Sequence, residues 1–110
     1  MDPRYKRVYE KPEGIRKLYH TSRWTKLQKT ILSAYSYLDQ WELARKKITP
    51  ANTVHHIVPA DERPDLFFDP SNLVPLSRAS HDEVHALYRR SQEDRAAAQA
   101  RLRAMLKPTV

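Results

Sequence analysis

Four of the five histidines of this chain fall in two clusters, and the signals around them constrain the fold more than any other feature. His55 and His56 are adjacent within Thr53-Val54-His55-His56-Ile57-Val58-Pro59. This β-branched, apolar run is bounded by Pro50 and Pro59 and reads as a short strand. His81 and His85 stand four apart after Ser80, and Ser80-His81-Asp82-Glu83 has the form of a capping box, with Ser80 as N-cap and Glu83 three residues on. Between the clusters lie strong turn chemistry, Asp69-Pro70-Ser71-Asn72, and a second short strand, Leu73-Val74-Pro75-Leu76, whose proline suits an edge. Neighbours on a strand point to opposite faces, whereas residues four apart on a helix share one. Strand, loop, strand, helix therefore predicts a ββα unit that sets one of His55 and His56 beside His81 and His85. The other is left for a separate task.

The chain has no cysteine, which removes disulfides and thiolate zinc sites together. Any ion must be held by imidazole, carboxylate, carbonyl or water. At 110 residues the expected organisation is one small domain with a modest core. A net charge of +7 favours polyanions as partners, nucleic acid foremost. No apolar run approaches a membrane span and the N-terminus does not resemble a signal peptide, so the expected location is the cytoplasm.

Outside the ββα unit the expected fold is mainly helical, giving an α+β class. Residues 1–18 carry Arg4, Lys6, Arg7, Lys11, Arg16 and Lys17 and read as a basic, weakly ordered arm. From Ser22, taken as N-cap, Trp24, Leu27, Ile31, Leu32 and Tyr35 recur at helical steps and form a core stripe. Arg23, Lys26 and Lys29 lie off that stripe and are the candidate DNA-binding residues. Leu43 to Thr49 reads as a short helical turn ended by Pro50. In the loop 60–71, Leu66-Phe67-Phe68 is expected to tuck against the core. Val84, Leu87, Tyr88, Ala98, Leu102 and Met105 keep an apolar stripe, with a break into two helices at Ser91-Gln92-Glu93-Asp94.

Three neutral imidazoles give a divalent ion a half-shell and leave positions open for water and a phosphate oxygen. Such an ion acts as a Lewis acid on phosphodiester chemistry. An unmetallated histidine of the pair suits the general base, because imidazole titrates near neutrality. Asn72 in the connecting loop is placed to fix the base through backbone or ring. His20, outside both clusters, reads as a surface or packing residue.

In their order, His55-His56-Ile57, Asn72-Leu73, Ser80-His81 and His85 resemble the HNH endonucleases, the ββα-metal or His-Me finger nucleases. The stretch Tyr19-His20-Thr21-Ser22-Arg23-Trp24 and the later Ile48-Thr49-Pro50 resemble the phage-type branch, and the likeness spans about residues 19–88. The resemblance implies His55, His81 and His85 as metal ligands, His56 as general base and Asn72 as the residue that positions its loop. It implies a nuclease domain over 19–90 with the ββα-metal unit at 53–90, followed by a C-terminal helix and tail at 91–110. It further implies DNA hydrolysis with one divalent ion (Mg, Mn, Ni, Co or Zn), by nicking or double-strand cleavage, in phage DNA packaging beside terminase or portal proteins. The alternative reading is a non-catalytic DNA-binding or interaction module on a degenerate HNH scaffold.

One departure from that family bears on stability. Many phage-type members hold a structural zinc with two CxxC pairs, and the corresponding positions here are Asp39 and Glu42, then Ser77 and Ser80. Hard oxygens do not make a tetrahedral zinc knuckle, so no structural zinc is expected. The expected substitute is packing by Trp41 and apolar neighbours, with Ser80 kept as a helix cap and Asp39 or Glu42 paired with Arg78.

Overall fold

The computed structural model describes residues 13–108, so that most of the basic arm expected at 1–18 lies outside the described residues. Its last six residues do not continue as an arm. They form helix α1 (Glu13–Leu18), tied to the rest by Ile15, which is buried against Trp24 and its neighbours. Helix α2 (Ser22–Ala34) follows, and its N-cap is Thr21, one residue before the serine expected there. The Thr21 side chain accepts from the Trp24 amide at 3.2 Å. Two consecutive left-handed residues, Ser36 and Tyr37, then reverse the chain into helix α3 (Gln40–Leu43). This helix ends where the expected turn at 43–49 was to begin. The segment to Pro50 instead returns beside Leu38 in an isolated antiparallel bridge.

Strands β1 (Thr53–His56) and β2 (Leu73–Leu76) form a two-stranded antiparallel sheet, with His55 opposite Val74 and His56 opposite Leu73. Helix α4 (Arg78–Arg90) completes the ββα unit. Ser91 stops it in an extended conformation (φ −165°) and caps helix α5 (Gln92–Ala104), accepting from the Asp94 amide at 3.0 Å. The expected break at Ser91 is therefore present. The N-cap of α4 is Ser77, not Ser80. Ser77 Oγ accepts from the Ser80 amide at 3.2 Å, and Glu83 is drawn away from the helix start, accepting from Trp41 Nε1 at 3.0 Å and pairing with Arg45.

The alternation of the strands divides the core between the two sides of the sheet. Val54 and Leu73 pack with Trp24, Ile31, Tyr35 and Phe67 on the α2 side. Ile57, Val74 and Leu76 pack with Trp41, Val84, Ala98 and Leu102 on the α4–α5 side. Of the loop's apolar centre, Phe67 is fully buried. Among the described residues no helix is long and apolar enough to cross a membrane.

Candidate metal centre and base

The histidine pair is split by the same alternation. His55 lies on the α4 face of the sheet, where its ring meets those of His81 and His85 with centroids 5.4 and 5.3 Å away. His81 and His85 project from one face of α4, and their Nε2 atoms are 3.1 Å apart. One nitrogen from each of the three residues lies within 4.8 Å of the others. Two nitrogens this close cannot both carry a proton pointed at the other, so at least one offers a lone pair toward the shared space. His55 is almost fully buried. Burial first, then the neighbouring His85, His81 and His56, holds its pKa well below the ordinary histidine value, so it stays neutral and able to ligate at physiological pH. The donor set of three imidazoles, facing an open cleft, fits one divalent ion.

His56 turns to the opposite side, against α2. It stacks on Trp24 with centroids 5.0 Å apart and planes 16° from parallel. Its Nε2 lies 3.0 Å from the Phe67 carbonyl oxygen. A carbonyl can only accept, so Nε2 carries a proton, and in the neutral ring Nδ1 holds the lone pair. Nδ1 faces the Tyr19 hydroxyl at 3.4 Å. Burial, and behind it the charge of Asp61, pushes the Tyr19 phenol up to about 12, so it remains a neutral hydroxyl. His55, His56, His81 and His85, with Tyr19 and Trp24, line one open cleft of about 350 Å³.

Asn72 touches neither ring. Its carboxamide makes two hydrogen bonds with the backbone of Val58, accepting from the amide at 2.8 Å and donating to the carbonyl at 3.0 Å, and its own carbonyl accepts from the Ile57 amide at 2.8 Å. It clamps the exit of β1, two residues beyond His56. Arg23, Lys26 and Lys29 are exposed on α2. The Arg23 guanidinium lies 3.9 Å over the Phe68 ring. His20 is exposed and stands apart from the site.

At the four positions set against the zinc-binding pairs lies a carboxylate knot. Asp39 is wholly buried, and its Oδ1 caps α3 by accepting from the amides of Trp41 (2.8 Å) and Glu42 (3.0 Å). Its Oδ2 accepts from the Ser77 amide (3.1 Å) and from the hydroxyls of Ser77 (2.6 Å) and Ser80 (2.5 Å). Burial raises a carboxyl pKa, but these donors outweigh it and hold Asp39 below its ordinary value. Trp41 is fully buried beside the knot, its amide bonded to Asp39. Arg78 takes no part, since it pairs with Asp82 at 3.4 Å, and Glu42 pairs with Arg45 at 3.6 Å.

Sequence reasoning missed Tyr88, counting it only in the apolar stripe. Its hydroxyl donates to the Ile57 carbonyl at 2.6 Å and lies 3.2 Å from His55 Nε2. The spacing His81, His85, Tyr88 puts all three on one helical face, a signal that was available.

A two-stranded antiparallel sheet, an adjoining helix and an inward histidine triad define a ββα-metal unit. No family model and no curated protein matches the chain. Among solved structures it is similar to the HNH endonuclease of the deep-sea thermophilic bacteriophage GVE2, crystallised with manganese ion. The two share 34% identity and a TM-score of 0.65 over 67% of this chain and 80% of that one. The chain belongs to the HNH endonuclease family.

Proposed function

We propose that this protein is a divalent-metal-dependent endonuclease that hydrolyses DNA phosphodiester bonds, with His56 as general base and His55, His81 and His85 as metal ligands. The observation that carries the proposal is the split histidine pair. One cleft combines a three-imidazole donor set with a separate histidine whose far nitrogen is already engaged. Bound to the triad, a divalent ion supplies Lewis-acid stabilisation of the charge that builds on the phosphate and the leaving oxygen.

The chain's own residues account for the proton. His56 Nδ1 removes it from the attacking water as the water oxygen bonds to phosphorus and the opposite P–O bond breaks. The resulting imidazolium keeps its Nε2–H on the Phe67 carbonyl, so the ring neither turns nor changes tautomer during transfer. The Trp24 face fixes its plane, and Asn72 fixes the backbone that follows it. Arg23, Lys26 and Lys29 supply affinity for the DNA backbone that is independent of sequence. Manganese in the phage relative supports Mn²⁺ as the first ion to try, beside Mg²⁺, Ni²⁺, Co²⁺ and Zn²⁺. A role in phage DNA packaging, with terminase or portal proteins as partners, rests on the phage-type resemblance of residues 19–24 and on the phage origin of that relative.

The test is conversion of supercoiled plasmid with each metal, with EDTA and the His56→Ala protein alongside. Open-circle product that disappears in both controls is expected. Linear product from the first turnovers would indicate paired sites. Full cleavage by His56→Ala would remove the base assignment. DNA binding without cleavage under any metal would favour the non-catalytic module. Calorimetry with Mn²⁺ should show weakened binding in His81→Ala.

A further inference from the structure

The phenol of Tyr88 has one proton to give, and the Ile57 carbonyl oxygen, 2.6 Å away, can only accept it. His55 Nε2, 3.2 Å from the same phenol oxygen, must then be the donor in that contact. This fixes the His55 tautomer, with the proton on Nε2 and the lone pair on Nδ1. Metal-binding histidines generally donate the other ring N–H to a nearby acceptor, which sets ring orientation and ligand basicity. Here the acceptor is carried by the ligand helix itself, three residues beyond His85 and seven beyond His81.

The arrangement is braced from α5. Gln99 Nε2 donates to the same Ile57 carbonyl at 3.0 Å. The Arg95 guanidinium sits 5.6 Å from the centre of the Tyr88 ring and is ion-paired with Glu62 of the loop after β1. Tyr88 is thus fixed from its own helix, from α5 and from the exit of β1.

We propose that Tyr88 is a positioning residue of the metal centre: by accepting from His55 Nε2–H it holds His55 in the tautomer that offers Nδ1 to the ion, with Gln99 steadying the Ile57 carbonyl that orients the phenol. The inference rests on the metal reading of the triad and assigns the His55 atom that reading leaves open.

Tyr88→Phe keeps the ring and removes only the hydroxyl. Two-bond ¹H–¹⁵N correlation spectra of the full-length, metal-free protein read each histidine's tautomer directly. The wild-type spectrum is expected to show His55 as the Nε2–H form, and Tyr88→Phe a mixture of forms. Calorimetric titration with Mn²⁺ is expected to show about tenfold weaker binding in Tyr88→Phe, with thermal unfolding of the metal-free protein lowered but still cooperative. Gln99→Ala should move both readouts in the same direction by less, and it carries the test should Tyr88→Phe fail to fold. A wild-type His55 in the Nδ1–H form, or unchanged tautomer and Mn²⁺ affinity in the variants, would overturn the role of Tyr88 alone. Absence of Mn²⁺ binding by the wild-type chain would overturn the metal reading beneath it, whatever the tautomer spectra show.

Discussion

Asp39 shows how a single residue can act as a cross-link. One buried carboxylate collects five hydrogen bonds and joins the start of α3 to the start of α4, thirty-eight residues further along at Ser77. Bonds to a charged acceptor are worth more than neutral ones, and a buried donor set that loses its acceptor is costly. Asp39→Asn keeps the volume but turns an amide toward hydroxyl and amide donors. It should destabilise the fold by about 3 kcal/mol in urea unfolding, with an unchanged denaturant slope. The pH dependence follows from the sign of the shift. The carboxyl is lowered in the folded protein, so its contribution is complete above the unfolded value near 3.8 and fades as pH falls through the folded pKa. The stability gap between wild type and Asp39→Asn should therefore be constant near neutrality and close below about pH 4. A gap that persists into strong acid would mean that shape, not charge, is what Asp39 supplies. Asn72 tests a different part of the site. Asn72→Ala removes two bonds to Val58 and should lower kcat more than Mn²⁺ affinity, because the clamp holds the backbone two residues beyond the proposed base, His56.

The elements divide by how local their causes are. Strand, turn, strand and helix over 53–90 were legible because each is marked by its own residues: β-branched runs between prolines, Asp69-Pro70-Ser71-Asn72, and the i, i+4 histidines. The break at Ser91 was legible for the same reason. The cap of α4 was not. Ser77 and Ser80 are equivalent as letters, and the choice between them is made by Asp39, while Glu83 is taken by Trp41 and Arg45. Helix α1 was missed because six residues with one buried isoleucine are stabilised by the core they meet and carry little helical signal of their own. Ser91 gives the element scale its prediction. Ser91→Ala removes the side-chain cap of α5 and should cost about 1 kcal/mol. Hydrogen exchange should quicken in the first turn of α5 while the α4 amides around Val84 stay protected. Equal loss of protection in both helices would show that α4 and α5 open as one unit.

At the scale of the whole molecule, the sheet acts as a partition. The residues proposed as ligands answer to α4 and α5, and the proposed base answers to α2, so ion affinity and proton transfer are tuned from opposite sides of one cleft. Helix α2 does two things at once: its buried face supplies the Trp24 surface behind His56, and its exposed face carries Arg23, Lys26 and Lys29. If that face meets the DNA backbone, the charge that captures the substrate and the ring that backs the proposed base ride on one rigid element. Replacing the three residues together by glutamine should then leave Mn²⁺ affinity and the His55 tautomer unchanged, since none of the three touches the triad. It should weaken duplex binding and reduce the slope of log affinity against log salt by about 2 to 3, each lost phosphate contact releasing roughly one counterion fewer. Fluorescence anisotropy with the His56→Ala protein, which keeps the surface and is expected not to cut, measures that slope across a salt series. An unchanged slope would assign the phosphate contacts to other basic surfaces of this +7 chain, and α2 would keep only its role behind the base.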